Sequence, residues 1–382
     1  MTMNHQSKGD PRPCHIAGAE AARPGAGRPQ GRRHRRPAAR PALAVAGVLA
    51  LAGCSAIGSG SGGGDESDDA STLTVVTHDS FNLSEELLTD FTERTGYEIT
   101  QVAPGDGGAL VNQLVLTKDD PLGDVVYGID NSFAARAVGE EVLAPYTSKA
   151  ATGPAPFEAH LTAVDRGDVC VNIDHGWFAE RGLEEPVTLE DLTDPRYADL
   201  LVVTNPATSS PGLSFLLATV GAFGEDGWQD YWTALAANGV KVVPGWSDAY
   251  YVDFSGSEGA GPRPLALSYS SSPAAEVPDG ASEPATGVLL DTCFRQTEYA
   301  GVLAGAENVA GAEAFIDFLL SPEVQADIPG QMYMYPVRED VELPAEWERF
   351  APLAPSPHDV DPEAISANRD EWIATWTEIV IG

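Results

Sequence analysis

The chain has 382 residues, a formal net charge of −35, and 57 Asp and Glu against 22 Lys and Arg. A surface this acidic repels nucleic acid and favours cationic ligands, and the length is more than one core comfortably supports, so two lobes are expected. Four cysteines with no C-x-x-C pair and no His/Cys cluster argue against a structural zinc site. No G-x-S-x-G, H-E-x-x-H or G-x-x-x-x-G-K-[ST] is present, and seven histidines leave few candidates for general-base chemistry, so no catalytic role and no cofactor are expected.

In chain order, Arg32, Arg33, Arg35, Arg36 and Arg40 form a basic flank before an apolar stretch of small residues and leucines over 41–53. That stretch is too short to span a bilayer as a helix, which needs about 20 apolar residues. Basic flank, short apolar core and small-residue cleavage zone predict a secretory signal over 1–53. Leu51-Ala52-Gly53-Cys54 resembles a bacterial lipobox. The resemblance implies cleavage before Cys54, lipid on the Cys54 thiol, and a domain held on the outer face of the cytoplasmic membrane by that lipid alone. The Gly, Ser and acidic residues of 54–70 predict a flexible, solvated linker.

Residues 73–77 read as a buried strand. Leu87, Leu88 and Phe91 at helical spacing predict a helix over 84–94, ended by Gly96. Residues 97–102 are the next strand, and a Gly-rich turn at 104–108 leads to a helix carrying Leu110, Val111, Leu114 and Val115. A third strand at 124–128 and a third helix at 131–138 complete a β-α-β-α-β-α order, which implies a parallel sheet sandwiched by helices. Strands follow at 168–173, 200–204, 240–244 and 264–268. Helices are expected at 188–192 with Thr188 as cap, at 211–220, at 226–236, at 312–320, and from Ser321 with Pro322 at its first position. In an oxidising compartment Cys170 and Cys293 are a disulfide candidate, against two separate buried thiols.

Six segments in order carry a resemblance: Thr77-His78-Asp79-Ser80-Phe81, Gly128-Ile129-Asp130-Asn131, Thr208-Ser209-Ser210-Pro211-Gly212-Leu213, Gly245-Trp246-Ser247-Asp248-Ala249-Tyr250, Leu267-Ser268-Tyr269-Ser270-Ser271-Ser272-Pro273 and Met334-Tyr335-Pro336-Val337. Over about residues 72–337 the chain resembles the type II periplasmic solute-binding proteins of ABC importers, and within them the thiamine-binding proteins. The resemblance implies an α/β fold of two lobes joined by two crossing hinge strands: lobe one at 72–166 plus 296–340, lobe two at 167–292, and a C-terminal helical segment at 341–382 packing on both. It implies a monomer that clamps thiamine, or its mono- or diphosphate, and delivers it to an ABC permease and its ATPase. Cys170 and Cys293 then fall near the two crossings, and a disulfide there would staple the hinge.

Thiamine offers a flat aminopyrimidine, a cationic thiazolium and a hydroxyethyl tail, so its pocket needs aromatic faces, carboxylates and small donors. Trp246, Tyr250, Tyr269 and Tyr333 are the candidate faces. Tyr251 competes with Tyr250, and Met332 or Tyr335 with Tyr333. Relatives carry tryptophan where Tyr333 stands and tyrosine where His78 stands. Ser209, Ser210 and Gly212 open a helix whose free N–H groups suit a hydroxyl or phosphate, or simply need a cap. His78 and Asp79 end the first strand at the expected cleft edge. Asp130 and Asp106 are candidate acceptors for the aminopyrimidine, with helix capping the competing role. A ferric-iron or other small-cation carrier using Tyr250-Tyr251 phenolates is the alternative within the binding class. Thiamine-degrading and thiamine-precursor proteins of this fold would need a cleft cysteine, and Cys170 and Cys293 are committed elsewhere.

Overall fold

The computed structural model describes residues 71–152, 157, 159–278 and 280–382. The expected signal, Cys54 and the linker lie outside those residues.

The first unit runs β1 (Thr72–Thr77), α1 (Glu85–Thr95), β2 (Glu98–Val102), α2 (Gly107–Leu116), β3 (Val125–Asp130), α3 (Ala134–Gly139) and β4 (Leu143–Ala144). β1 lies between β2 and β3 and pairs with both in parallel. α1 stops at Gly96, which takes a left-handed φ of 78° and returns its N–H to Thr92 O. β3 is buried along its whole length, as a strand covered by helices on both faces must be.

The second unit runs β5 (Thr162–Asp174), α4 (His175–Arg181), β6 (Leu201–Thr204), α5 (Ser210–Phe223), α6 (Trp228–Ala237), β7 (Lys241–Val243) and β8 (Leu265–Tyr269). β6 pairs in parallel with β7 and β8. The chain returns through β9 (Thr286–Leu303), then α7 (Val309–Leu319), α8 (Pro322–Met332), β10 (Tyr335–Pro336), α9 (Ala345–Phe350) and α10 (Pro362–Val380). α10 docks Trp376, fully buried, edge-on against Trp232 of α6 at 5.4 Å.

One sheet joins these pieces in the order β2-β1-β3-β9-β5-β8-β6-β7. Each end is parallel, as the β-α alternation requires. The centre is antiparallel: β9 runs antiparallel to both β3 and β5, and β5 antiparallel to β8. The 13-residue β5 and the 18-residue β9 serve both ends of the sheet.

Their register breaks in the middle. Val169 faces Phe294, but Val171 already faces Leu289, so β9 bulges outward over the intervening residues. Cys170 and Cys293 meet at that bulge in a disulfide, with Cα atoms 4.3 Å apart and 123 residues apart in sequence. The expected pairing is therefore present. Closing so long a loop stabilises the fold by about 4–5 kcal/mol in the chain-entropy account.

Candidate ligand cleft

Strand ends and two turns converge on a cavity of about 340 Å³. The residues after β1 bring His78 and Asp79. The turn after β7 brings Trp246, the end of β8 brings Tyr269, and the end of α8 brings Tyr333. These five expected residues line the cavity together. Tyr251, Phe81 and the Glu298 carboxylate of β9 line it as well.

Trp246 is the hub of the aromatic wall. Tyr250 stacks behind it at 5.2 Å and 12° between planes, and Tyr251 meets it edge-on at 5.1 Å. Tyr333 and Tyr269 flank it at 5.9 and 6.2 Å. The indole Nε1 donates to Ser268 Oγ at 2.9 Å, which fixes the ring plane. Tyr333 sits at a left-handed φ of 57°, a conformation non-glycine residues rarely take, and its carbonyl accepts from Ser271 Oγ.

The placement of Tyr250 as a cleft face is corrected. It is fully buried, and its phenol donates to Glu276 Oε1 at 2.9 Å. Residues Asp248–Asp253 form a turn of π-helix, with Tyr251 at the cavity and Tyr250 stacked on Trp246. Of the competitors to Tyr333, Met332 also lines the cavity, whereas Tyr335 packs on Trp347 at 4.8 Å.

Asp106, Asp130, Ser209, Ser210 and Gly212 form a layer behind the cavity. Asp106 caps α2 by accepting from Gly107 N at 2.6 Å. The same carboxylate accepts from Ser210 N at 3.1 Å and from Trp246 N at 2.9 Å. It thus occupies the start of α5, where a free anion site was expected. Ser209 caps α5 through Gly212 N and donates to Thr204 Oγ1 at 2.8 Å. Gly212 packs on the Thr204 and Asn205 backbone too closely for any Cβ. Asp130 is fully buried and accepts from Ser132 N and Phe133 N, which is the capping role. Burial pushes its carboxyl up to about 6, with the Ser132 and Ser210 hydroxyls opposing.

The cavity floor is a buried polar cluster that sequence reading missed. Glu298 and Asp165 face one another across β9 and β5, and both contact the single Tyr127 hydroxyl, Glu298 at 2.9 Å. One hydroxyl proton cannot serve two carboxylates, so one carboxyl carries its own proton. Burial and the Glu298 charge push Asp165 well above the usual carboxylate range, which favours its neutral form. Burial pushes Glu298 up as well, but the His78 charge and the Tyr127 and Asp165 hydrogen bonds outweigh it and hold Glu298 below its ordinary value. Glu298 also accepts from Gln296 Nε2 at 3.1 Å, and His78 Nε2 lies 3.6 Å from it. The only signal for this cluster was polar residues inside an apolar stretch, and without the register of β5 and β9 nothing joined them.

This arrangement binds and orients; it holds no nucleophile poised on a base. Both cysteines of the fold are in the disulfide. Among the described residues no group of three or more His, Cys, Asp or Glu could hold a metal ion.

The family model for bacterial extracellular solute-binding proteins matches residues 120–354. The thiamine-binding periplasmic protein of Salmonella typhimurium is 30% identical over 318 residues, 81% of this chain and 93% of that protein. A solved periplasmic thiamin binding protein superposes with a TM-score of 0.71 at 28% identity, over 81% of this chain and 96% of the other. The ferric binding protein of Campylobacter jejuni, at 18% identity and a TM-score of 0.64 over 80% of this chain and 99% of that one, shares the fold. With a cleft where the strands of an α/β sheet end, and with matches to the family model and to a curated relative, this chain belongs to the bacterial extracellular solute-binding proteins, which are binding proteins and not enzymes.

Proposed function

We propose that the chain captures thiamine, or a thiamine phosphate, outside the cytoplasm and delivers it to an ABC permease. The observation that carries this reading is the pairing, in one cavity of about 340 Å³, of an aromatic wall with the Glu298 and Asp79 carboxylates. A thiazolium over Trp246 or Tyr251 gains about 0.5–2 kcal/mol per face. Glu298 supplies the opposite charge. Ser210 N at the start of α5 donates to Asp106, so a phosphate tail would have to compete for that donor.

Capture works by closure of lobe one, 72–166 plus 296–340, on lobe two, 167–292, about β5 and β9, with 341–382 packed across them. Contacts between those segments support a closed state: Ala109 N to Thr208 O at 2.9 Å, Tyr251 to Tyr333 hydroxyls at 3.3 Å, and the Asp106 bonds. The protein acts as a monomer, exported by its signal and anchored by lipid on Cys54. Among the described residues no helix is long and apolar enough to cross a membrane.

Iron carriage is the weaker reading. Of the adjacent pair, Tyr250 is buried with its phenol on Glu276, and Tyr251 alone reaches the cavity, so the two phenols do not present together to an ion. Calorimetric titration with thiamine, its mono- and diphosphate, a pyrimidine precursor and ferric citrate tests the assignment. Saturable one-to-one binding of thiamine or a phosphate is expected; binding of only iron or the precursor would overturn the ligand.

A further inference from the structure

We infer that His78 and Glu298 form a proton-for-cation exchange pair: a monocationic heterocycle entering the cleft replaces the His78 proton as the counter-charge of Glu298, and binding expels that proton. The inference rests on the cationic-ligand reading above.

The geometry sets it up. Both side chains line the same cavity, and both are nearly closed to solvent, His78 at 7% and Glu298 at 4% exposure. Tyr127 OH and Gln296 Nε2 donate to Glu298, which favours its anionic form, while burial and the Glu298 charge push the neighbouring Asp165 carboxyl up. No Lys or Arg lines the cavity, so His78 is the one cationic partner of Glu298 among the described residues. The pairing is loose. His78 Nε2 stands 3.6 Å from Glu298 and makes no hydrogen bond. The ring is held from the other side by Ser80 Oγ at 3.0 Å from Nδ1, and it lies against Gly128, where any Cβ would strike it. It therefore cannot retreat toward β3 when a ligand arrives.

The charged and titratable groups facing His78 come from several elements. Glu298 is on β9, Asp106 precedes α2, Asp79 follows on its own turn, and the Tyr127 ring of β3 lies 5.4 Å away. Burial alone pushes the imidazole down, but the carboxylates of Glu298, Asp106 and Asp79 outweigh it and hold His78 above its ordinary value. The support of these carboxylates, Glu298 first, favours the protonated ring while Glu298 lacks another counter-ion. A thiazolium beside Glu298 removes that support and adds a like charge. The imidazolium then loses its Nε2 proton to solvent, and the neutral ring keeps Nδ1–H for Ser80. One positive charge enters and one leaves, so the buried site never gains charge, which is the condition a low-dielectric cavity imposes.

Two consequences follow. Protons compete with the ligand, so affinity rises with pH and levels off once His78 is already neutral. A neutral pyrimidine lacking the thiazolium releases no proton and shows no such slope, which makes the pair a selector for cationic ligands.

The test is calorimetric titration of the full-length protein with thiamine between about pH 6 and pH 8.5, in buffers of differing ionisation enthalpy. His78→Gln and Glu298→Gln variants are titrated in parallel. The wild type should release up to one proton per thiamine at the acid end and none at the alkaline end. Its affinity should rise by up to about tenfold per pH unit on the acid side. His78→Gln should abolish proton release and flatten the profile, and Glu298→Gln should lose roughly tenfold or more in affinity at the alkaline end. The buffer dependence of the wild type stands whether or not either variant folds. One-to-one thiamine binding without proton release, or an unchanged slope in His78→Gln, overturns the exchange and leaves the ligand assignment intact. No thiamine binding at any pH overturns both.

Discussion

Trp246 anchors the cleft because its ring is held on every side but one. Tyr250 backs it, Ser268 fixes its Nε1, and Tyr251 and Tyr333 stand beside its open face. Trp246→Ala should weaken thiamine by about tenfold or more, combining a lost cation–π contact with the collapse of a buried stack. Trp246→Phe, which keeps a face, should lose less; equal losses in the two would remove the ring face from the account. Asp130 carries a stability prediction of known sign. Its folded carboxyl is raised from the usual range to about 6. The stability it contributes is therefore full below its unfolded value and lost as pH rises through about 6. Asp130→Asn keeps the acceptor for Ser132 N and Phe133 N and removes the buried charge. Thermal melts should show the variant gaining about 1–3 kcal/mol over wild type at pH 7.5 but little at pH 4.5; parallel curves would contradict this. His78, Asp79, Trp246 and Tyr269 were legible in the sequence because residues at strand ends in an α/β fold reach the cleft, and Tyr333, at the end of α8, through the resemblance alone. Tyr251 was not separable from Tyr250, since the two are adjacent on one turn. Glu298 and Asp165 were invisible, because a polar residue in a long strand announces burial only once its cross-strand partner is known.

Among the elements, β5 and β9 carry the most weight and were the least readable. The strand at 168–173 is an apolar core that local pattern finds, but β5 begins six residues earlier, through Asp165 and Arg166. β9 runs through Asp291, Arg295, Gln296 and Glu298 and shows no two-residue alternation along its 18 residues. The βαβ units at either end were legible, since their strands and helices differ clearly in period. The bulge between β5 and β9 is where the disulfide sits, so the bridge ties the two shared strands at their weakest register. Replacing Cys170 and Cys293 together by Ala should lower unfolding free energy by about 2–5 kcal/mol in denaturant titration while leaving the far-UV spectrum unchanged. A midpoint identical to wild type would show that the bulge needs no staple.

At the scale of the whole molecule, the proposed closure would rest on a few contacts between the proposed lobes, with Asp106 making several of them. One carboxylate accepts from the α2 start, the α5 start and the Trp246 backbone. Burial pushes this carboxyl up and its hydrogen bonds oppose the shift, so the latch depends on those donors staying in place. Asp106→Ala should open the unliganded molecule, seen as a larger radius of gyration in X-ray scattering that returns to the wild-type value when thiamine is added. No change in radius would place closure elsewhere, in the Tyr251–Tyr333 and Ala109–Thr208 contacts. The net charge of −35 acts at the same scale, drawing cations toward a cleft whose floor is anionic.

The central claim is that this cleft holds a thiazolium-bearing ligand between an aromatic wall and Glu298. Calorimetric titration of thiamine into wild-type protein and Trp246→Ala tests it most directly. Saturable one-to-one binding by the wild type and a loss of about tenfold or more in the variant are expected. Absence of binding to the wild type, or equal affinity in the two proteins, would contradict it.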